Sequence, residues 1–381
     1  MNNTNSNYTI YVSTIIDSHN YGTVMQAVAT RDLLSGYGRP VFVDYCRSQW
    51  TRRGWAKLRM SNKSHSKIVN LLRVAGGFGT RLRSERVFRP FVERELDLCD
   101  AAPFETGLGI EALDHDAVFC VGSDQTWNIE YNSGLDPVYF LSHVPDGCKK
   151  ISLAASFGRE SISDEEAALT RPLLEGFEAI SVRESSSVCI LDGMGLTGSV
   201  ALKDPVLLCN PELWKGLSES VSTPCEGDYI LVYMLNSNSG MCDYASRIAE
   251  DLGIQCLSVS FSPLKRSRKS IRDVCLPRPE EWLALFRGAR LVVTDSFHGT
   301  CFSLLFGKPM VVFDPPKYSV RLRDVLNDFG LESRRASNMD DALARDLAAE
   351  PIDWGKVSTL ISEERVRAKD FLDCAFGLRV E

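Results

Sequence analysis

Two Rossmann-like α/β domains facing a cleft are the fold this sequence predicts. Three observations carry the prediction. The chain has 381 residues, of which 44% are hydrophobic, ample material for a core. Apolar, β-branched runs alternate with segments of helical spacing, which favours a parallel sheet. The alternation occurs twice, before and after a middle punctuated by Asp204-Pro205 and Asn210-Pro211. We therefore expect domains at 1–205 and 206–345, followed by a C-terminal helical segment at 346–381.

Tyr8 to Ile15 reads as the first strand, Asp17 to Gly22 as a turn, and Thr23 to Ser35 as a helix with Val24, Ala27, Val28 and Leu34 on one face. Gly36 to Pro40 breaks it before the strand Val41 to Asp44. Gly76-Gly77-Phe78-Gly79 reads as a flexible break. Strands then follow at Ala117 to Val121, Lys150 to Ser156 and Ala179 to Arg183, with a helix from about Asp164. The second set has strands at Tyr229 to Leu235, Gln255 to Val259, Leu291 to Val293 and Met310 to Phe313. Its helices are expected at Tyr244 to Leu252, Pro279 to Arg287, Cys301 to Phe306 and Val320 to Phe329, with a last one at Lys356 to Leu372.

No apolar run approaches the roughly 20 residues of a membrane span, and the polar, uncharged start at Met1 to Asn7 does not read as a signal peptide. The twelve cysteines are scattered, with no pair closer than Cys242 and Cys256. Buried free thiols such as Cys120, Cys189 and Cys301 in a reducing cytoplasm are the expectation. Five histidines without ligand spacing argue against zinc.

Net charge is −7, yet residues 47–89 hold twelve Lys or Arg against Glu85 alone. Such a segment attracts anions. The acidic chain carries no nucleic-acid motif, so nucleic acid is not an expected partner. Basic residues interleaved with Trp50 and Trp55 fit a peripheral membrane contact; a solvated, mobile insertion fits as well.

The most informative stretch is Thr294-Asp295-Ser296-Phe297-His298-Gly299-Thr300, between a strand and a helix. Open α/β sheets bind ligands at that edge. His298 reads either as a core or capping histidine or as a general acid or anion contact. Asp295 reads as a helix cap or as a group orienting the imidazole. Ser296 and Thr300 add polar groups, and Gly299 permits close approach of a ligand to the backbone. Asn20-Tyr21-Gly22-Thr23 with Gln26 occupies the first strand-to-helix turn, as turn chemistry or as a site. There is no Gly-x-Gly-x-x-Gly there and no Walker A sequence. Gly122-Ser123-Asp124-Gln125-Thr126-Trp127-Asn128 puts a carboxylate, amides and an indole at a strand end; this suits sugar hydroxyls and a pyranose face, or a capped helix with a core Trp. Arg183 ends a strand and would grip an anion or pair with Glu184. Arg321 and Arg323 pose the same question, and the run 265–272 is a second basic cluster.

In these motifs, their order and their spacing, the chain resembles the polysaccharide pyruvyl transferase family, over most of its length. The resemblance implies a fold like that of GT-B glycosyltransferases, phosphoenolpyruvate as donor and a sugar as acceptor. A pyruvate ketal forms on two hydroxyls and phosphate is released. It implies a cell-surface polysaccharide precursor as acceptor, often linked to a lipid carrier. A cytoplasmic enzyme is the expectation, with peripheral contact at the inner membrane face through 47–89 and a solvated insertion both left open. On this reading His298 and Asp124 are catalytic. Arg183, Arg321, Ser296, Gly299 and Thr300 bind donor, and Asn20, Tyr21, Gln125, Trp127 and Asn128 bind acceptor. No metal ligand is expected, and no cofactor beyond the donor itself. One departure stands out: many relatives carry Arg two residues before the histidine, where this chain has Ser296. Two other readings are a GT-B-type glycosyltransferase using a nucleotide sugar and a non-catalytic scaffold in glycan assembly.

Overall fold

The structure is a computed structural model and describes residues 8–60, 67–114, 116–262, 267–315 and 319–378. The chain divides into two compact units. Unit 1 comprises Met1–Phe78, Arg89–Cys209 and Glu363–Glu381; unit 2 comprises Gly79–Phe88 and Asn210–Ser362.

Unit 1 carries a seven-stranded parallel sheet of β1 (Thr9–Ser13), β2 (Arg39–Val43), β3 (Leu98–Cys99), β4 (Val118–Val121), β5 (Lys149–Ala155), β6 (Ala179–Val182) and β7 (Val200–Ala201). Its order is β3-β2-β1-β4-β5-β6-β7. The helices up to the division are α1 (Tyr21–Leu34), α2 (Arg52–Met60), α3 (Lys67–Glu95), α4 (Ala102–Thr106), α5 (Asp164–Leu174), α6 (Ser185–Gly193) and α7 (Pro205–Leu208). Strand β4 is buried along its whole length, as expected of a parallel strand covered on both faces.

Unit 2 repeats the plan. Strands β8 (Tyr229–Tyr233), β9 (Gln255–Ser260), β10 (Arg272–Cys275), β11 (Leu291–Thr294), β12 (Met310–Phe313) and β13 (Arg335–Ala336) form a parallel sheet in the order β10-β9-β8-β11-β12-β13. The helices after the division are α8 (Pro211–Glu219), α9 (Ser239–Leu252), α10 (Pro279–Gly288), α11 (Phe297–Leu305), α12 (Ser319–Asp328), α13 (Met339–Ala344) and α14 (Trp354–Ala375). Central strands β8, β11 and β12 are wholly buried. In each sheet the strand order reverses once, between β1 and β4 and between β8 and β11. A crevice opens at the carboxyl ends of the strands there.

Several expectations change. The predicted break at Gly76 to Gly79 lies inside α3; each glycine costs a helix about 1 kcal/mol, which a long run of helix-forming neighbours absorbs. Helix α1 begins at Tyr21 because the Asn20 side chain caps it, accepting from the Gly22 amide at 3.0 Å. The C-terminal segment does not stand apart, since its end belongs to unit 1. There the Tyr37 hydroxyl donates to Asp373 at 2.7 Å, and Arg365 Nε donates to the Leu207 carbonyl at 3.1 Å. All twelve cysteines are free; Cys120 and Cys301 are buried, whereas Cys189 is exposed on α6.

The basic segment is less uniform than its composition. Arg47 is fully buried, its guanidinium held by Asp17 and, at 2.7 Å, by Asn132. Arg89 lies between Asp44 and Glu93. Arg52, Arg53 and Lys57 are exposed on α2. Lys63 lies outside the described residues.

Candidate functional site

At the switch point of unit 1, the loops after β1 and β4 are tied together. Thr14 Oγ1 donates to the Ser123 carbonyl at 2.8 Å, and Gln26 Nε2 donates to Thr14 Oγ1 at 3.1 Å and to the Ile15 carbonyl at 3.2 Å. Gly122 is required by this approach, because a Cβ there would lie 2.8 Å from the Thr14 Cβ. Asp124 follows, with a left-handed φ of 72°, a conformation Asp tolerates better than most residues. Its carboxylate accepts from the Thr23 hydroxyl at 3.1 Å and from the Gln125 amide at 2.9 Å.

Arg183 stands behind Asp124, 6% exposed. Its Nη1 donates to Asp204 at 2.9 Å and lies 3.9 Å from Asp124, and its Nε donates to Glu184 at 3.0 Å. Burial works to depress the guanidinium pKa, and Glu184, Asp204 and Asp124 outweigh it, so the pKa sits above its ordinary value. Arg183 is thus a buried hub among three carboxylates.

The residues expected to bind acceptor are mostly committed to the fold. Trp127 is wholly buried, donates to the Tyr139 carbonyl at 2.9 Å and packs against Phe140, Phe157 and Phe177. Its ring is core, and a pyranose cannot stack on it. Tyr21 is likewise fully buried, and Asn20 is the cap of α1. Asn128 Nδ2 donates to Gln125 Oε1 at 2.7 Å. Gly158, at a φ of 65°, packs against these two amides, and a Cβ there would collide with Gln125. The sequence offers the Arg183–Glu184 pair as one reading of Arg183, and the pair forms, buried; Thr23 and Asp204 are not singled out by the sequence as partners of the site, although Thr23 stands within the first motif.

Unit 2 gathers the histidine motif at its own switch point. Asp295, 4% exposed, neither caps α11 nor is spare: it accepts from the Leu235 amide at 2.7 Å and from the Asn236 amide and Nδ2, both at 3.0 Å. Ser296 is the cap, its hydroxyl accepting from the Gly299 amide at 3.2 Å. Thr300 Oγ1 donates back to the Ser296 carbonyl at 3.1 Å. Gly299 is pressed onto the sheet, where a Cβ would strike Thr294 and the Tyr233 ring. The close approach that this glycine allows is to Thr294 and Tyr233. His298 sits in the first turn of α11, 8% exposed, edge-on to Phe297 with ring centroids 5.2 Å apart. The Arg321 guanidinium lies over the same Phe297 ring, 5.9 Å from its centroid. Arg321 therefore joins the histidine motif. Arg268 of the second basic cluster is instead paired with Asp243, Arg272 donates to the Pro224 carbonyl, and Lys265 and Arg266 lie outside the described residues. Among the described residues, no cluster of His, Cys, Asp and Glu could hold a metal ion, and no helix is long and apolar enough to cross a membrane.

These features define the class: two doubly wound, parallel Rossmann-like units, each with polar side chains collected where its strand order reverses. Solved structures share that fold. The S. aureus MnaA-UDP co-structure is 9% identical, with a TM-score of 0.56 and coverage of 98% of either chain. A UDP-N-acetylglucosamine 2-epimerase is 12% identical at a TM-score of 0.56, covering 99% of this chain and 98% of that one. The UDP-GlcNAc 2-epimerase from Methanocaldococcus jannaschii is 12% identical at a TM-score of 0.53, covering 96% and 99%. At such identities the likeness shows the fold alone, a GT-B-like one. A comparison with proteins of curated function gives no match. The sequence model of the family described as polysaccharide pyruvyl transferase matches residues 20–316. The chain belongs to that family, and the protein is an enzyme that transfers pyruvyl groups.

Proposed function

We propose that the enzyme transfers the pyruvyl group of phosphoenolpyruvate to two hydroxyls of a sugar in a surface-polysaccharide precursor, forming a ketal. The observation that carries this reading is His298 at the helical edge of the unit 2 switch point, with Arg321 drawn to the adjacent Phe297. Protonation of the donor's methylene carbon by the imidazolium creates a cation at the carbon bearing phosphate. One sugar hydroxyl adds there and loses its proton. The C–O bond to phosphate breaks with its electron pair going to phosphate, and the second hydroxyl closes the ketal on that carbon, its proton leaving with the phosphate. Arg321 supplies positive charge for the donor's anionic groups. The family reaction also asks for a base at the acceptor hydroxyl, and Asp124 is the carboxylate in unit 1 that suits the role. Arg183 then supports Asp124 rather than gripping donor.

An acceptor linked to a lipid carrier would bring the enzyme to an acidic surface, and exposed Arg52, Arg53 and Lys57 on α2 are the cations for it. Incubation with phosphoenolpyruvate and carrier-linked galactosides, glucosides and N-acetylhexosamines tests the reading. Phosphate release together with an acid-labile pyruvate ketal is the expected result. Neither product across a broad panel, with sugar transfer from a UDP- or GDP-sugar instead, would replace it by glycosyl transfer.

A further inference from the structure

Strand β5 carries an irregularity that none of these roles explains. It pairs with β6 at Ile151↔Ala179 and Ser152↔Ile180, and next at Ala155↔Val182. Three steps along β5 therefore match two along β6, which is a bulge of one extra residue. Bulges are rare in parallel sheets, and they gather beside active sites, where they re-aim a side chain. Ala154 takes up the extra length in the left-handed conformation, with a φ of 52°, although it is wholly buried. Alanine has no polar side chain to ease that backbone, so its surroundings must hold it.

Two buried serines hold it. Ser181 Oγ accepts from the Ala154 amide at 3.0 Å and donates to the Ser152 carbonyl at 2.8 Å, so one side chain spans the bulge. Ser152 Oγ donates to the Ser181 carbonyl at 2.9 Å and accepts from the Ser181 amide at 3.1 Å. Beyond the bulge β5 reaches both neighbours. Ala155 bridges to Asp124 on one side, and on the other its carbonyl accepts from the Arg183 amide at 2.9 Å. The Ser156 hydroxyl then donates to Glu184 at 2.9 Å. In a regular strand Ala155 would stand level with Arg183 instead of Val182, and the side chains beyond would exchange faces. The offset between Asp124 and Arg183, whose charged groups lie 3.9 Å apart, is thereby set in β5 rather than in the strands that carry them.

We propose that Ser181 is a positioning residue of the unit 1 site: by holding the bulge, it fixes where Arg183 and Glu184 stand relative to Asp124. That this placement serves the reaction rests on Asp124 acting at the acceptor hydroxyl. The mechanical coupling through β5 does not.

A double-mutant cycle on the whole protein, read by urea denaturation, tests the coupling without donor or acceptor. Ser181 and Ser156 bond to different groups, so independent sites would give additive losses. Ser156→Ala is expected to lower the folding constant about tenfold, the equivalent of about 1.4 kcal/mol. In a Ser181→Ala background, where the hydroxyl no longer meets Glu184, the same change should cost about threefold or less. Ser181→Cys, whose thiol is a weak donor and acceptor, takes the place of Ser181→Ala if that protein fails to fold. Steady-state kinetics supplies the second readout. Ser181→Ala should lower kcat about tenfold with the KM for phosphoenolpyruvate unchanged, because misplacing a group costs rate rather than donor binding, and Ser181→Cys should fall between. Additive losses in the cycle overturn the coupling, and a wild-type kcat in folded Ser181→Ala overturns the positioning role. A wild-type enzyme inactive with phosphoenolpyruvate removes the donor reading instead, and the cycle still decides the coupling.

Discussion

The carboxylate of Asp295 accepts the backbone amide of Leu235 at 2.7 Å, so the residue three before His298 holds the loop that follows the first strand of the same sheet. Asp295→Ala should destabilise unit 2, since each buried donor left without an acceptor costs roughly 1–3 kcal/mol. Asp295→Asn keeps one acceptor oxygen and should lose less. Chemical denaturation of the three proteins orders them. Equal midpoints for Ala and wild type would mean that the loop holds itself.

His298→Gln should lower the rate of pyruvyl transfer by about 10²–10⁴, the usual contribution of a positioned acid, with an unchanged melting temperature. Arg321→Lys keeps the charge but not the planar guanidinium over Phe297, and should raise the KM for phosphoenolpyruvate more than it lowers kcat. Steady-state kinetics separates the two. A His298→Gln enzyme with wild-type kcat would remove the imidazole from the chemistry.

Arg183 and Arg89 are both bonded to two carboxylates, yet their substitutions should differ. Arg183→Met leaves Asp124, Glu184 and Asp204 buried together without their cation, a loss of about 3–5 kcal/mol for a broken buried pair. Arg89→Met removes an exposed pair with Asp44 and Glu93, worth about 1 kcal/mol or less. Urea midpoints measure both. Similar losses would contradict the view of Arg183 as the hub of its site.

Asp136 gives a pH dependence with a definite sign. Burial raises its pKa above 3.8, against the lowering effect of the Tyr45 hydroxyl and the Val138 amide. The folded state therefore holds the proton more tightly than the unfolded chain. The resulting stabilisation is full below the unfolded value and is lost as pH rises through the folded one. Asp136→Asn does not ionise, so its melting temperature should gain on wild type as pH climbs upward from about 4. A difference independent of pH would refute the assignment.

Much of the architecture was legible because parallel strands buried on both faces read as unbroken apolar runs, as Val118–Val121, Leu291–Thr294 and Met310–Phe313 do. Edge strands were not legible. Leu98–Cys99, Val200–Ala201 and Arg335–Ala336 have two residues each, too few to show a period, and their pairing is decided by neighbours distant in sequence. The location of the polar motifs was legible, since glycine and amide-rich turns interrupt apolar strands. Their internal use was not. Nothing local tells that Trp127 turns into the core, that Asp295 bonds to residues 235 and 236, or that Arg183 meets Asp204. Those facts depend on which loops the strand order makes adjacent. Arg47 makes the same point: its charge was read as part of a basic surface, and Asp17 and Asn132 draw it into the interior.

The cap at Ser296 has an evolutionary consequence. Its hydroxyl secures the start of the helix that presents His298. A single Ser296→Arg step would add a cation beside His298 and forfeit about 1 kcal/mol of helix capping. The reverse step would do the opposite. The exchange is therefore not neutral by itself: an added cation beside His298 needs a new anchor for the first turn of α11 before it comes without a loss of helix stability.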